Sequence, residues 1–333
     1  MDLSHLPPQI ISWVSNLAWF LIISFGFSLL ARFFWAFDLF SHFTIQYIVG
    51  GFALGILLLL MHQYWLAGLC VLVMISSVIE TRWLMKDPLM FKRPTAETNF
   101  TVMQYNRFYK NNRHDRLENF LSDQNQDIDV VLVQESKAPD IEELKLLKTL
   151  YPYQSPESPQ ERKTDISVLS KYPYKLEYVP FRGARFENFV TRVEIQKPRL
   201  SKPVVIYSYH TKVPIGSKPN QRRNEELAFI ASAVAKDKSD YVIASGDWNI
   251  TPYSPYFGDF LKSSGLHYQN YRLLPETSWP AHLLIPFMKI PIDHVLYNDK
   301  LTLTDIRRGP AMGSDHHSLI ASFAVPDKGP HKE

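Results

Sequence analysis

The sequence predicts an α-helical membrane region followed by a mixed α/β domain. Three observations point there. Residues 10–80 carry no formal charge apart from Arg32, Asp38 and Glu80, in stretches long enough to cross a bilayer. From Phe100 onward, short β-branched runs alternate with amphipathic helical segments. Five of those runs end in polar side chains able to do chemistry. A chain of 333 residues has room for one large domain or two small ones.

Taken in order, Ile10–Trp35 has no charge before Arg32, and Ile45–Ile79 is a second uncharged stretch. As one helix the second stretch would run roughly 52 Å, well beyond the hydrocarbon core. A hairpin broken near His62–Gln63 fits better. Three spans are therefore expected, at about 10–34, 45–61 and 64–80. A cleaved signal peptide would need a basic start, and Met1–Gln9 has no Lys or Arg. A soluble helical core is disfavoured because nearly all faces are apolar. Three spans put the first loop and the large C-terminal part on one side. That side carries Arg32, Arg82, Lys86, Lys92 and Arg93, and the N-terminal side carries none. The positive-inside rule then places the C-terminal part in the cytoplasm.

Residues 1–97 hold five Lys/Arg and five Asp/Glu, so the net charge of +3 belongs to the remainder, with no block of one sign. That balance shows no basic stripe for duplex DNA. The single cysteine, Cys70, excludes a disulfide framework and a Cys-based zinc site. No protein partner is expected.

Residues 81–97, with Pro88 and Pro94, read as a juxtamembrane linker; 98–326 reads as the soluble α/β domain and 327–333 as a tail. Strands are expected at Phe100–Asn106, Val130–Glu135, Ser167–Ser170, Val190–Ile195, Val204–His210, Tyr241–Ser245, Ile292–Tyr297 and His317–Val325. Helices are expected at Asp115–Asn125, Asn224–Asp237 and Ser254–Ser264, the last closed by Gly265. Tyr151–Lys163, rich in Pro, Ser and Glu, reads as a surface loop.

The chain is organised around Ile243–Asn249 (IASGDWN). A buried strand breaks at Gly246 and presents Asp247 and Asn249, two positions apart and so on one face. A carboxylate beside a carboxamide at a strand end suits a metal-bound phosphate. Four other strand-end clusters accompany it: Asn106, Glu135, His210, and Asp293 with Asp315–His316. Each alone has an ordinary explanation, as a turn, a cap or a core histidine. Strand ends of an α/β domain are where such groups converge.

Together, Asn106, Gln134-Glu135, His210-Thr211, Gly246-Asp247-Trp248-Asn249, Ile292-Asp293-His294-Val295 and Ser314-Asp315-His316 resemble the endonuclease/exonuclease/phosphatase superfamily, in order and spacing, over about residues 98–326. That superfamily includes DNA nucleases, inositol-phosphate phosphatases and sphingomyelinases. The membrane half, with Asp38–Phe43 and Ser278-Trp279-Pro280, is similar to a bacterial subgroup with three N-terminal spans. The resemblance implies a four-layer α/β sandwich, two packed mostly antiparallel sheets flanked by helices, and an inner (plasma) membrane location. Trp248 stands where Phe is usual. Ser318 stands where Pro often follows. Asp165 stands where Gly is common, which alters the local loop or gives His210 a carboxylate neighbour.

The expected chemistry follows. Glu135, with Asn106 and Asp315 directly or through water, holds a hard divalent ion, Mg²⁺ or Mn²⁺. His316, oriented by Asp293, takes the proton from the attacking water, or Asp247 does so. Asn249 holds a phosphate oxygen, His210 donates to the developing charge, and Trp279 lines the substrate rim. His294 and His317 are expected to be structural, and Arg222 and Arg223 solvated. A zinc site on His316–His317 is disfavoured because adjacent strand residues face opposite ways. The reaction class is phosphoester hydrolysis. The membrane half favours a lipid headgroup or lipid-linked phosphate. The alternatives are a membrane-tethered nuclease acting on DNA and an inactive binding module.

Overall fold

The computed structural model describes residues 2–84, 97–123, 127–181, 189–268 and 275–326. The expected tail and most of the expected linker, including Lys86, Lys92 and Arg93, lie outside the described residues.

The N-terminal part is four helices: α1 (Pro8–Leu29), α2 (Trp35–Ser41), α3 (Thr44–Leu60) and α4 (Tyr64–Leu84). Among the described residues, two helical stretches are each long and apolar enough to cross a membrane, Pro8–Leu29 and Tyr64–Thr81. The expected second span is α3, of 17 residues, which counts only jointly with α2, from which it bends by 62°. α3 lies close on α4 because Gly51 and Gly55 face it. A Cβ at Gly51 would stand 2.7 Å from the Cys70 carbonyl oxygen. Small residues four apart are a common means of close helix contact in membranes.

The remainder folds as two sheets. The first runs β10-β11-β1-β2-β4-β3, from β1 (Glu97–Asn106), β2 (Val130–Gln134), β3 (Tyr153–Ser155), β4 (Ser167–Ser170), β10 (Thr302–Arg308) and β11 (Leu319–Pro326). The second runs β5-β6-β7-β8-β9, from β5 (Tyr174–Pro180), β6 (Phe189–Ile195), β7 (Val204–Ser208), β8 (Tyr241–Asp247) and β9 (Asp293–Tyr297). Among the described strands, only β1–β2 and β7–β8 pair in parallel. Phe100, Val102, Leu132, Ile206, Ile243 and Phe323 pack between the sheets. α5 (His114–Ser122) and α6 (Ala138–Leu144) cover the first sheet, and α7 (Ser217–Lys236) and α8 (Pro255–Ser264) cover the second. This is the four-layer α/β sandwich that the resemblance implies. Ser254 caps α8 through the Tyr256 amide, and Gly265 closes it in the left-handed region.

Period-two alternation explains how the core becomes a site. On β1, Phe100 and Val102 point into the sheet interface, so Gln104 and Asn106 do as well. On β2 the sequence is Val130, Leu132, Gln134, and on β8 it is Ile243, Ser245, Asp247. The same inner face is apolar in mid-strand and polar at one end. The parallel pairs aim these ends the same way.

Some elements differ from expectation. Tyr151–Lys163 contains β3. Asp115–Asn125 is helical as α5, which the structure carries to Ser122. Glu135 and His210 stand just beyond their strands. Arg223 is not solvated: it is fully buried on α7 and pairs with Asp38 of α2.

Candidate active site

Gly246 lets two segments of the backbone meet at the centre of the site. A Cβ there would stand 1.9 Å from the Tyr209 carbonyl oxygen and 2.7 Å from Gln134 Nε2. Without it, Gln134 Nε2 donates to Tyr209 O (3.0 Å) and the Asp247 amide donates to Gln134 Oε1 (2.8 Å). Gln104 Nε2 bridges Gln134 Oε1 and Asp293 Oδ1, each at 2.8 Å. Buried glutamines thus clamp the ends of β1, β2, β8 and β9. Gln104 was not singled out from the sequence. Counting in twos from Phe100 and Val102 would have placed it on the inner face.

Asn106 Nδ2 donates to Glu135 Oε1 (3.0 Å) and Asp247 Oδ2 (2.9 Å). Its Oδ1 accepts from the Phe108 amide, so it presents nitrogen to the carboxylates. Glu135 has φ 55°, and its Oε2 accepts from the Tyr109 amide at 2.8 Å. Asn249 has φ 47°; its amide donates to Asp247 Oδ1 (3.0 Å) and its Nδ2 to Thr211 O (3.0 Å). Non-glycine residues held in the left-handed region cluster at functional sites.

Two histidines flank Asp247. His316 Nδ1 lies 2.8 Å from Asp293 Oδ2, leaving Nε2 3.6 Å from Asp247 Oδ2. His210 Nδ1 lies 2.7 Å from Asp165 Oδ2, and its Nε2 faces Asp247 Oδ2 at 3.8 Å and Glu135 Oε1 at 3.9 Å. The odd residue Asp165 therefore serves as His210's carboxylate neighbour. Burial opposes charge on both rings. For His210, Asp165, then Asp247 and Glu135, outweigh it and push the pKa up to about 10. For His316, Asp293 and Asp247 push it up to about 9. Burial, then Asp293, push the Asp247 carboxyl up to about 6. Burial would also raise Asp293, but His316 beside it holds it low.

Asp315 sits on the far flank. Its Oδ2 accepts from Trp279 Nε1 at 3.3 Å, and its Oδ1 is buried with no hydrogen-bond partner. Ser314 Oγ donates to Asn106 O (2.7 Å), tying this turn to β1. His294 and His317 lie outside the site. His294 Nε2 meets Ile250 O at 2.8 Å within the Trp248–Phe257 cluster, and His317 meets Lys289 Nζ and Gly309 O. With His316 on Asp293 and both ring nitrogens of His317 engaged by Lys289 and Gly309, the two do not form a chelate. Arg222 pairs with Glu226 along α7.

The donors fit a hard cation. Glu135, Asp247 and Asp315 offer carboxylate oxygens, the donor type a hard cation takes, and Asp315 Oδ1 is buried without a hydrogen-bond partner. Among the described residues, Asp247, Asp293 and His316 place ligand atoms within 4.8 Å of one another. Within that trio His316 Nδ1 is already engaged by Asp293 Oδ2, an arrangement that suits an oriented imidazole beside a carboxylate as well as a chelate. A cation among these carboxylates would relieve their mutual repulsion and lower the raised histidine pKa values.

Residues 103–316 match the model of the Endonuclease/Exonuclease/phosphatase family. No match to a curated protein sequence is found. Among solved structures, SmcL superposes with a TM-score of 0.53 at 18% identity, over 68% of this chain and 98% of that one. Sphingomyelinase C from Streptomyces griseocarneus gives 0.50 at 19%, over 68% and 99%. D. rerio TDP2, complexed with a single-strand DNA product, gives 0.53 at 13%, over 68% and 99%. At these identities the superpositions establish the fold. With the family match covering most of the chain, the protein belongs to the endonuclease/exonuclease/phosphatase family of metal-dependent phosphoric ester hydrolases.

Proposed function

We propose that this protein is a membrane-anchored, divalent-metal-dependent phosphoesterase acting on a phosphate ester borne by a lipid. One observation carries the reading. Glu135, Asp247, His210 and the Asp293–His316 pair meet at one mouth, with His316 and His210 both within 3.8 Å of Asp247. The anchor is α1, α3 and α4. The charge bias of Arg32, Arg82, Lys86, Lys92 and Arg93 favours the cytoplasmic face of a bacterial inner membrane.

Glu135, Asn106 and Asp315 would hold Mg²⁺ or Mn²⁺, with Asn106 turning its oxygen inward or acting through water. When bound, the ion supplies positive charge to the phosphoryl oxygens. Asp293 holds His316 Nδ1–H, so Nε2 faces the site; either His316 or Asp247 takes the water's proton. His210, fixed by Asp165, donates an N–H to the phosphorane oxygens, and Asn249 donates from its side-chain amide. Trp279 borders the entrance.

The test is a panel of phosphatidylinositol phosphates, sphingomyelin, polyprenyl diphosphate and plasmid DNA, with and without chelator. Metal-dependent cleavage of a lipid ester supports the proposal. His316→Ala is expected to cost about 10²–10⁴-fold, and Glu135→Ala to abolish the metal dependence. DNA nicking lost in both variants would replace the lipid reading with the nuclease one. Inertness toward every ester would leave a binding module.

A further inference from the structure

We infer that the uncharged loop Leu283–Met288 is a bilayer-facing rim of the active site, seated in the lipid leaflet that the N-terminal helices enter. The inference rests on the anchored phosphoesterase reading and deepens it: the ester would be carried by a lipid of that same leaflet.

Leu284 is 94% exposed, and Ile285, Phe287 and Met288 are 44–49% exposed. Single exposed apolar residues are ordinary on a protein surface, whereas a contiguous run marks a contact surface. No charge interrupts the run between His282 and Lys289. Lys289, which could have kept the loop in water, is turned inward. It is buried, with its Nζ on Ala281 O (3.2 Å) and His317 Nε2 (3.0 Å).

Both ends of the loop are fixed, and the fixtures say what covers it. Its tip is tied to the membrane region: Gln46 Nε2, in the first turn of α3, donates to Phe287 O at 2.8 Å. That turn is where the chain leaves α2 and begins its next apolar helix. The base is tied to the site. Trp279 and Ile290 exchange backbone hydrogen bonds, the Ala281 amide donates to Asp315 O (2.6 Å), and Trp279 Nε1 reaches Asp315 Oδ2. The loop is thus a short arch from Asp315 to the point where α3 starts. An apolar surface held at that level meets the lipid interface. Val213 (52%) and Ile215 (68%) also stand exposed, in the segment between His210 and α7.

The test uses the full-length chain in phosphatidylcholine–phosphatidylglycerol vesicles. Leu284→Cys is labelled with an environment-sensitive thiol fluorophore, and the unsubstituted chain, whose Cys70 is buried, is the labelling control. Quenching by lipids bearing an acyl-chain nitroxide, without quenching by aqueous iodide, is expected. Quenching by iodide alone overturns the inference, as does protection from both, which would place a protein or a second copy over the loop. In parallel, Leu284→Asp with Phe287→Ser is expected to slow hydrolysis of a vesicle-borne phospholipid ester by about tenfold while sparing soluble bis(p-nitrophenyl) phosphate. Equal loss on both esters overturns it. If the unsubstituted chain cleaves neither ester, the phosphoesterase reading fails, and the fluorescence still reports where the loop sits.

Discussion

Asp165 sets the character of His210. Its carboxylate at 2.7 Å outweighs the burial that would strip the ring of its proton. Because the folded pKa lies above the unfolded one, the imidazolium stabilises the fold fully below about pH 6.5 and loses that contribution as pH rises through about 10. Asp165→Asn is expected to bring the His210 titration down toward neutrality in metal-free protein. Nitrogen-edited NMR of the ring checks it; an unmoved midpoint would show that Asp247 and Glu135 alone hold the proton. At this scale the sequence was informative wherever a polar residue interrupted an apolar run at a strand end. Asp165 was noticed because it replaces a usual glycine. Gln104 was passed over because a glutamine inside a strand looks like surface. The hydrogen-bond directions of Asn106 were not legible at all, because they depend on Glu135 and Asp247 arriving from 29 and 141 residues away.

Among the elements, β8 is the least replaceable. Gly246→Ala would drive a methyl group into the Tyr209 carbonyl, and the strand has no room to yield. A cost of about 3 kcal/mol, the upper end for overpacking, is expected, read from chemical denaturation in detergent. The central strands were readable because each is a buried apolar run. The edge strands β5 and β10 were not: YKLEYVP and TLTDIRR carry the charges by which edges avoid further pairing. The helix α2 was legible only as part of a resemblance. The structure supplies the reason for its Asp38: the carboxylate is buried against Arg223, Ser254 and Asn220. Asp38→Ala leaves an uncompensated buried guanidinium and is expected to cost about 3–5 kcal/mol. The double change Asp38→Leu with Arg223→Met is expected to recover much of that loss, as thermal unfolding of the purified chain would show.

For the whole molecule, the layered sandwich followed from alternating strand and helix signals together with the family resemblance. The N-terminal helical region was less exact. Apolar length alone marked three spans; among the described residues two helices are long and apolar enough by themselves, and the third counts only if α2 and α3 are taken as one bent span. Where a helix breaks depends on its neighbours: α2 turns away because Asp38 and His42 find partners on the catalytic side, His42 with Thr251 Oγ1 at 3.0 Å. The charge bias makes a further prediction. In intact cells an impermeant amine reagent should leave Lys92 unlabelled and reach it only after permeabilisation.

The buried contact between Asp38 and Arg223 also bears on how the enzyme can be handled. Arg223 Nη1 donates to Asn249 O at 3.2 Å, so its carboxylate partner helps fix a loop of the reaction centre. A water-soluble fragment cut between α4 and β1 would keep the guanidinium and discard its counter-ion. Such a preparation is expected to be loosened at Asn249 and to lose turnover even on soluble esters. Supplying residues 35–43 again, as a grafted segment or an added peptide, should restore it, which makes the natural place for the scissors upstream of α2 rather than after α4.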